Sequence, residues 1–158
     1  MFDVVRYTQD KASEWNAFVE NAKNGTFLFN RGYMDYHADR FCDNSLMFYD
    51  EDGILVGILP ANVSDGVVYS HGGLTYGGLL VGARCHYSEV SEMFTAASSH
   101  LAGCGIGKLV YKPVPYIYSK QPSEEDIYWL CQNGAHLVQR AISSAVMLSS
   151  PLPFSKLR

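Results

Sequence analysis

Apolar positions change their period several times along this chain, and each change marks an element. Phe2 to Tyr7 reads as an opening strand. Trp15, Phe18, Val19 and Ala22 then recur at i, i+3, i+4 and i+7, the stripe of an amphipathic helix that Asn24-Gly25 stops. Beyond the short apolar piece Phe27-Leu28-Phe29, Asn30 offers a cap to a second helix in which Tyr33, Met34, His37 and Phe41 share a face. Ser45 to Tyr49 is a strand, Asp50-Glu51-Asp52-Gly53 a turn, and Ile54 to Val63 an almost wholly apolar strand. Ser64-Asp65-Gly66 turns the chain back into Val67-Val68-Tyr69, giving an antiparallel meander.

The second half repeats the alternation. Val90, Met93, Phe94, Ala97 and Leu101 keep helical spacing between a cap at Ser88 and a stop at Gly103. Lys108 to Val114 is a strand. Pro122 and Ser123-Glu124-Glu125-Asp126 open a further helix with a buried stripe of Ile127, Leu130 and Cys131, ended by Asn133-Gly134. A long last strand runs from His136 to about Leu148, with Val138, Ile142, Val146 and Leu148 on one face, and Pro151 and Pro153 end it. This order predicts an α/β (α+β) fold: a mixed, mostly antiparallel sheet of about six or seven strands with helices on both faces.

Between two strand-like runs, Val67-Val68-Tyr69 and Leu79-Leu80-Val81, lies Ser70-His71-Gly72-Gly73-Leu74-Thr75-Tyr76-Gly77-Gly78. Glycine costs conformational entropy inside a strand, so two Gly-Gly pairs answer a geometric demand. A bulge or flat floor where a ligand approaches is one such demand, and a barrel corner or tight turn is the other.

A length of 158 residues fits one domain with a real core. The net charge of −4 and the lack of any Lys/Arg run before Lys156-Leu157-Arg158 argue against DNA and against an extended phosphate footprint. Cys42, Cys85, Cys104 and Cys131 form no C-x-x-C pair, and His37, His71, His86, His100 and His136 have no H-x-x-x-H spacing, so no metal site is expected. No signal peptide opens the chain and no apolar run is long enough to span a bilayer, which points to a cytoplasmic protein with reduced thiols.

Gly103-Cys104-Gly105-Ile106-Gly107-Lys108 looks like a phosphate loop but follows a helix and precedes a strand, the reverse of what phosphate binding needs. No G-x-S-x-G elbow surrounds any serine, and Ser70-His71 are neighbours facing opposite ways, wrong for a nucleophile and its base. Three groups of polar-tipped aromatics suit a cleft for a polar organic substrate: His71, Thr75 and Tyr76; Tyr33, Asp35, Tyr36 and His37; and Tyr111-Lys112-Pro113 with Tyr116-Ile117-Tyr118. For any single one of these residues, a structural role is the more common outcome.

The residues Trp15-x-x-Phe18, Asn24-Gly25-Thr26-Phe27-Leu28-Phe29-Asn30, Tyr49 to Pro60-Ala61-Asn62, the glycine stretch, Tyr111-Lys112-Pro113-x-Pro115-x-Ile117-Tyr118 and Pro122 to Asp126 follow an order similar to that of GNAT-superfamily acyltransferases of the FemAB-like type. The resemblance covers nearly the whole chain. It implies a GNAT-like domain over 1–158, the first half of a longer two-half protein, its partner being a second GNAT-like half or a homodimer mate. It further implies acyl transfer from acetyl-CoA or another acyl-CoA to an amine on a small-molecule or glycoconjugate acceptor, such as a cell-envelope or polysaccharide amino sugar.

In the superfamily, a Q/R-x-x-G-x-G/A loop before the long helix holds the donor's pyrophosphate. Here that position reads Val81-Gly82-Ala83-Arg84-Cys85-His86-Tyr87-Ser88, which lacks the motif and leaves Gly82 and Arg84 as the cofactor-binding candidates. The resemblance therefore places this half on the acceptor side and most of the donor outside the chain. It implies Tyr36, His37, His71 and Tyr76 as acceptor contacts; Gly77, Tyr111 and Lys112 complete the substrate-binding set, with His71 as the catalytic base. Direct transfer needs positioning more than a covalent nucleophile, in keeping with the missing triad. The alternatives are a non-catalytic GNAT-like module for binding or dimerisation, an aminoacyl-tRNA-dependent peptide-bridge transferase, which the scarcity of basic clusters argues against, and a small sugar- or peptide-binding protein.

Overall fold

The structure, a computed structural model, describes residues 2–70, 72–142, 144 and 148–149. In chain order its elements are β1 (Asp3–Arg6), α1 (Ala12–Asn21), α2 (Arg31–Met34), β2 (Cys42–Asp43), β3 (Leu46–Tyr49), β4 (Leu55–Leu59), β5 (Asn62–Ser64), β6 (Val67–Tyr69), β7 (Leu80–Val81), α3 (Tyr87–Gly103), β8 (Lys108–Val110) and α4 (Glu125–Gln132). The expected α/β architecture is present, with eight described strands in two four-stranded sheets, β1-β3-β4-β7 and β2-β5-β6-β8. Every pair of strands is antiparallel except β6 and β8.

The central strands are apolar throughout because both their faces are covered. Leu46, Phe48, Leu59 and Val81 point to a core shared with Val90, Met93, Phe94, Ala97 and Leu101 of α3. Met47, Tyr49, Ile58 and Leu80 point the other way, to a second core around Trp15 and Val19 of α1. Alternation along one strand thus feeds two cores. Gly57 of β4 is the point of close approach on the α3 side: a Cβ there would lie 2.6 Å from the Met93 sulfur.

The apolar run Ile54 to Val63 is two strands, not one. Proline has no N–H for a ladder, and at Pro60-Ala61 the chain leaves one sheet and enters the other. Ser45 secures the corner: its Oγ accepts from the Ala61 amide at 3.1 Å, while the Asn44 amide donates to the Ala61 carbonyl at 2.9 Å.

Several elements differ from the sequence expectation. The second helix is a single turn followed by a 3-10 turn at Asp35–His37. Gly32 weakens it, and the Asn30 side chain makes no cap; instead Asn16 of α1 accepts from the Arg31 amide at 2.8 Å. α3 starts at Tyr87, so Ser88 is not its cap. α4 has no fully buried residue and Cys131 is exposed; its anchor is Trp129, whose ring stacks on Phe94 at 4.5 Å and 8°. The expected last strand is absent from residues 136–142, which are irregular and exposed, while Val146, Pro151 and Pro153 lie outside the described residues.

Candidate functional site

The glycine stretch is an excursion between two strands, not a strand. Ile58 pairs with Leu80 and Asn62 with Tyr69, so four steps along one strand face eleven along its neighbour. The surplus leaves the sheet as the loop between β6 and β7, with turns and bends but no ladder. Its hydrogen bonds go to neighbours instead. The Gly72 amide donates to Asn62 Oδ1 at 2.6 Å, the Ser70 amide to the Val110 carbonyl at 2.9 Å, and the Gly77 amide to the Lys112 carbonyl at 2.8 Å.

Gly78 has a positive φ of 95°, and a Cβ on it would lie 2.8 Å from the Tyr111 hydroxyl. That close approach serves a hydrogen-bond relay: the Leu79 amide donates to Tyr111 Oη at 2.7 Å, and Tyr111 Oη donates to Asp126 Oδ2 at 2.6 Å. Gly78→Ala combines a left-handed backbone with a displaced hydroxyl, so we expect a loss of about 1–3 kcal/mol in urea denaturation. A change within 0.3 kcal/mol would place this loop free of its strut.

Against the excursion lies the segment after α2. Met34, Asp35, His37, Ala38 and Phe41 face Gly72, Gly73 and Leu74 across a cavity of about 50 Å³, floored by Asp43, Ala61 and Asn62. Gly73 is needed here, since a Cβ would lie 2.4 Å from the Phe41 ring. The cavity holds one or two water-sized groups, enough for the end of a side arm but not for a whole ring.

Arg31 organises the cavity's charge. Its guanidinium lies 3.3 Å from the Tyr7 ring centroid and 3.9 Å from that of Trp15, and the residue is 1% exposed. Nη1 donates to Asp43 Oδ2 at 2.5 Å and stands 3.6 Å from Asp35 Oδ1. Asp43 is held further by the Ser45 amide at 2.8 Å on Oδ1. One buried cation therefore serves both carboxylates of the cavity wall, and the Arg6 guanidinium donates to the Asp43 carbonyl beside them. Burial pushes the Tyr7 hydroxyl upward, partly offset by Arg31, so that ring stays neutral under the cation.

The other sequence candidates are placed as follows. Tyr36 is 80% exposed and packs edge-on to His37, whose ring reaches the cavity. Tyr76 is buried; its ring stacks on Tyr118 at 5.3 Å and its hydroxyl lies 3.3 Å from Thr26 Oγ1. Lys112 is exposed, and its amide donates to Ser70 Oγ at 2.8 Å. His71 lies outside the described residues. Gly82 and Arg84 sit away from the cavity, before α3, where the Gly82 carbonyl closes a turn with the Cys85 amide.

Sequence reasoning missed Arg31, Asp43 and Lys23. Lys23 is 4% exposed, and its ammonium contacts Glu125 Oε1 at 2.6 Å and the Cys85 carbonyl at 3.3 Å, tying the end of α1 to α4. Asn24, read as a helix stop, also acts as a strand surrogate: Nδ2 donates to the Leu79 carbonyl at 2.8 Å and Oδ1 accepts from the Val81 amide at 3.1 Å.

At the start of α3 the His86 amide donates to Glu89 Oε2 at 2.8 Å, so a carboxylate of the chain itself caps one amide there. The open groove beside it is lined by Tyr87, Pro122, Ser123, Glu124, Glu125 and Tyr128, with two more carboxylates. Burial drives the nearby Cys85 thiol up to about 12, which makes it inert as a nucleophile. Among the described residues no group of three or more His, Cys, Asp or Glu is placed to hold a metal ion, and no helix is long and apolar enough to cross a membrane.

No protein-family model and no curated protein matches this sequence. Solved structures do. The chain is similar to the aminoglycoside N-acetyltransferase AAC(6')-Iy in complex with the bisubstrate analogue CoA-S-monomethyl-acetylneamine, at 13% identity and TM-score 0.57 over 93% of this chain and 99% of that one. It is similar to the aminoglycoside 6'-N-acetyltransferase AAC(6')-Ih from Acinetobacter baumannii, at 11% identity and TM-score 0.54 over 94% and 99%. YycN from Bacillus subtilis gives 11% identity and TM-score 0.56 over 93% and 99%. At such identities the likeness is one of architecture, and it identifies the fold of this chain as that of the GNAT acyltransferases.

Proposed function

We propose that this chain is a GNAT-type N-acyltransferase module that binds the amine acceptor, with an acyl-CoA as donor held mainly outside the described residues. The observation that carries the reading is the cavity between the turn at Asp35–His37 and the excursion at Gly72–Leu74. Both segments were implicated by the resemblance to FemAB-like proteins, and both converge on a wall that carries the carboxylates of Asp35 and Asp43. A primary ammonium complements that wall, and the volume suits an aminomethyl end such as an amino sugar presents.

In such a transfer the acceptor's ammonium first gives a proton to a base or water, the free amine forms the new C–N bond with the acyl carbon as the C–S bond breaks, and a second amine proton goes to the departing thiolate, which leaves as the CoA thiol. The part assigned to this chain is to orient the amine and keep it near the site. Support for an acyl group as cargo comes from the acetyltransferases that share the fold. Within the broader reading, a FemAB-like two-half protein acting on an envelope or polysaccharide amino sugar remains our preferred setting.

A second reading, a GNAT-like module without catalysis, is favoured by one observation: the Glu89 carboxylate caps the His86 amide at the start of α3 and puts a negative charge at that helix end. Two titrations separate the readings. For the acceptor-side module, an amino sugar such as neamine shifts the amide signals of Asp35 and Gly73 in NMR spectra, while calorimetry with acetyl-CoA gives a Kd weaker than about 1 mM, or about −4 kcal/mol. Micromolar acetyl-CoA binding overturns the incomplete donor site and points to a self-sufficient enzyme. Silence of both ligands overturns the acceptor assignment and leaves the non-catalytic module.

A further inference from the structure

One arrangement of side chains occurs twice in this chain, and only one of the two holds a cation. In the core, the rings of Tyr7 and Trp15 meet edge to face at 5.4 Å and 68°, and the Arg31 guanidinium sits in the corner between them, paired with Asp43 and Asp35. At the surface, the rings of Tyr87 at the start of α3 and Tyr128 of α4 meet edge to face at 5.1 Å and 74°. They line one groove with the carboxylates of Glu124 and Glu125. Among the described residues, no cation stands over either of these two rings.

Holding the fold together does not account for this groove. Glu125 is committed: Oε1 meets the buried Lys23 ammonium at 2.6 Å, and Oε2 accepts from Ser123 Oγ at 2.9 Å. Glu124 is exposed, and among the described residues its side chain makes no hydrogen bond or ion pair. A helix dipole favours a carboxylate at the start of α4, but it asks for no aromatic corner beside it. Tyr87 and Tyr128 are 39% and 54% exposed, which leaves ring surface open to a ligand. A planar cation gains from both features at once, because it packs on aromatic rings and forks onto a carboxylate. The groove is open rather than enclosed, which suits a side chain presented by a partner better than a small molecule held on most sides.

We propose that this groove binds an arginine side chain of a partner polypeptide, with the guanidinium in the corner of Tyr87 and Tyr128 and its fork on Glu124. Charge and shape select the occupant, and the core of this same chain shows the arrangement filled by an arginine. The groove shares no lining residue with the cavity at Asp35–His37, so the proposal stands whether or not the chain takes part in acyl transfer.

NMR titration of the whole chain with an end-blocked Gly-Arg-Gly peptide tests this, against the same peptide with citrulline, which keeps the shape of the side chain without its charge. The arginine peptide is expected to shift the Tyr87 and Tyr128 signals saturably and to bind at least about tenfold more tightly than the citrulline one. Glu124→Gln and Tyr128→Ala are each expected to weaken binding at least about fivefold. Both side chains are exposed, so the variants should keep their secondary structure by circular dichroism. Absence of a saturable shift up to about 10 mM peptide overturns the proposal, and so does equal affinity for the citrulline peptide. Shifts confined to Asp35 and Gly73 overturn it by placing the cation in the other cavity. Tighter binding of free arginine than of the peptide overturns it in favour of a small molecule. Movement of the Tyr128 signals in the ligand-free protein on Arg158→Gln overturns it as well, because the occupant would then be the chain itself.

Discussion

Arg31→Ala is expected to cost about 3–5 kcal/mol in urea denaturation, enough to unfold much of a domain of ordinary stability. The guanidinium sits in the corner between the edge-to-face rings of Tyr7 and Trp15 and pairs with Asp43, and alanine removes all three interactions together. What remains is a hole under two rings and a carboxylate facing it without its cation. Lysine does not repair this, because a point charge on a flexible stem does not fill the corner between the two rings as the planar guanidinium does. The pairing is buried on the arginine side, so raising the salt from low to physiological strength changes the loss little. The double variant Arg31→Met with Asp43→Asn should lose clearly less than the sum of its single variants. Additive losses, or an Arg31→Ala loss below about 1 kcal/mol, would show that the cation is incidental to the fold.

The Tyr111 hydroxyl carries the second large effect, and it is pH-dependent. Burial raises the Asp126 carboxyl above its ordinary value, and hydrogen bonds from Tyr111 and from the Ile127 amide only partly oppose this. A carboxyl with a raised folded-state pKa holds its proton more tightly when folded than when unfolded. Its stabilising contribution is therefore present below pH about 4 and is lost as pH rises through the folded value. Tyr111→Phe removes the donor that eases the ionised form and orphans the Leu79 amide. We expect a loss of about 1–3 kcal/mol at pH 7, smaller near pH 3 where the carboxyl is neutral. Asp126→Asn keeps an acceptor for Tyr111 without the charge and should flatten the pH dependence of stability in this window. Equal losses for Tyr111→Phe at both pH values would remove Asp126 from the account.

The strands and the helix stripes were legible because alternation and 3.6-residue spacing survive wherever a face is buried. Trp15, Val19, Val90, Met93 and Leu101 all lie where their spacing put them. The site was legible only in part. The glycine stretch and the Asp35–His37 turn were both marked as chemical, and they meet at one cavity, but a strand period cannot distinguish a bulge from an excursion anchored at both ends. Arg31 was invisible for a different reason. A charge in a helix-like run normally faces water, and only the folded chain brings Tyr7 and Trp15 over it. The segment 136–142 has the pattern of a strand, but pattern alone does not make a ladder, and these residues form none among the described residues.

The excursion between β6 and β7 has a consequence for how this surface can change. Both its ends are pinned to one continuous neighbour, through Asn62 on one side and Ile58 on the other. Residues can therefore be inserted or removed between Gly72 and Tyr76 without altering the register of either sheet, and doubling a flexible loop costs only about 0.6 kcal/mol in closure entropy. The frame that sets the two cores and the wall that faces a ligand are thus separate modules of the same polypeptide. Variation in the shape of the cavity can accumulate while the sheets stand unchanged.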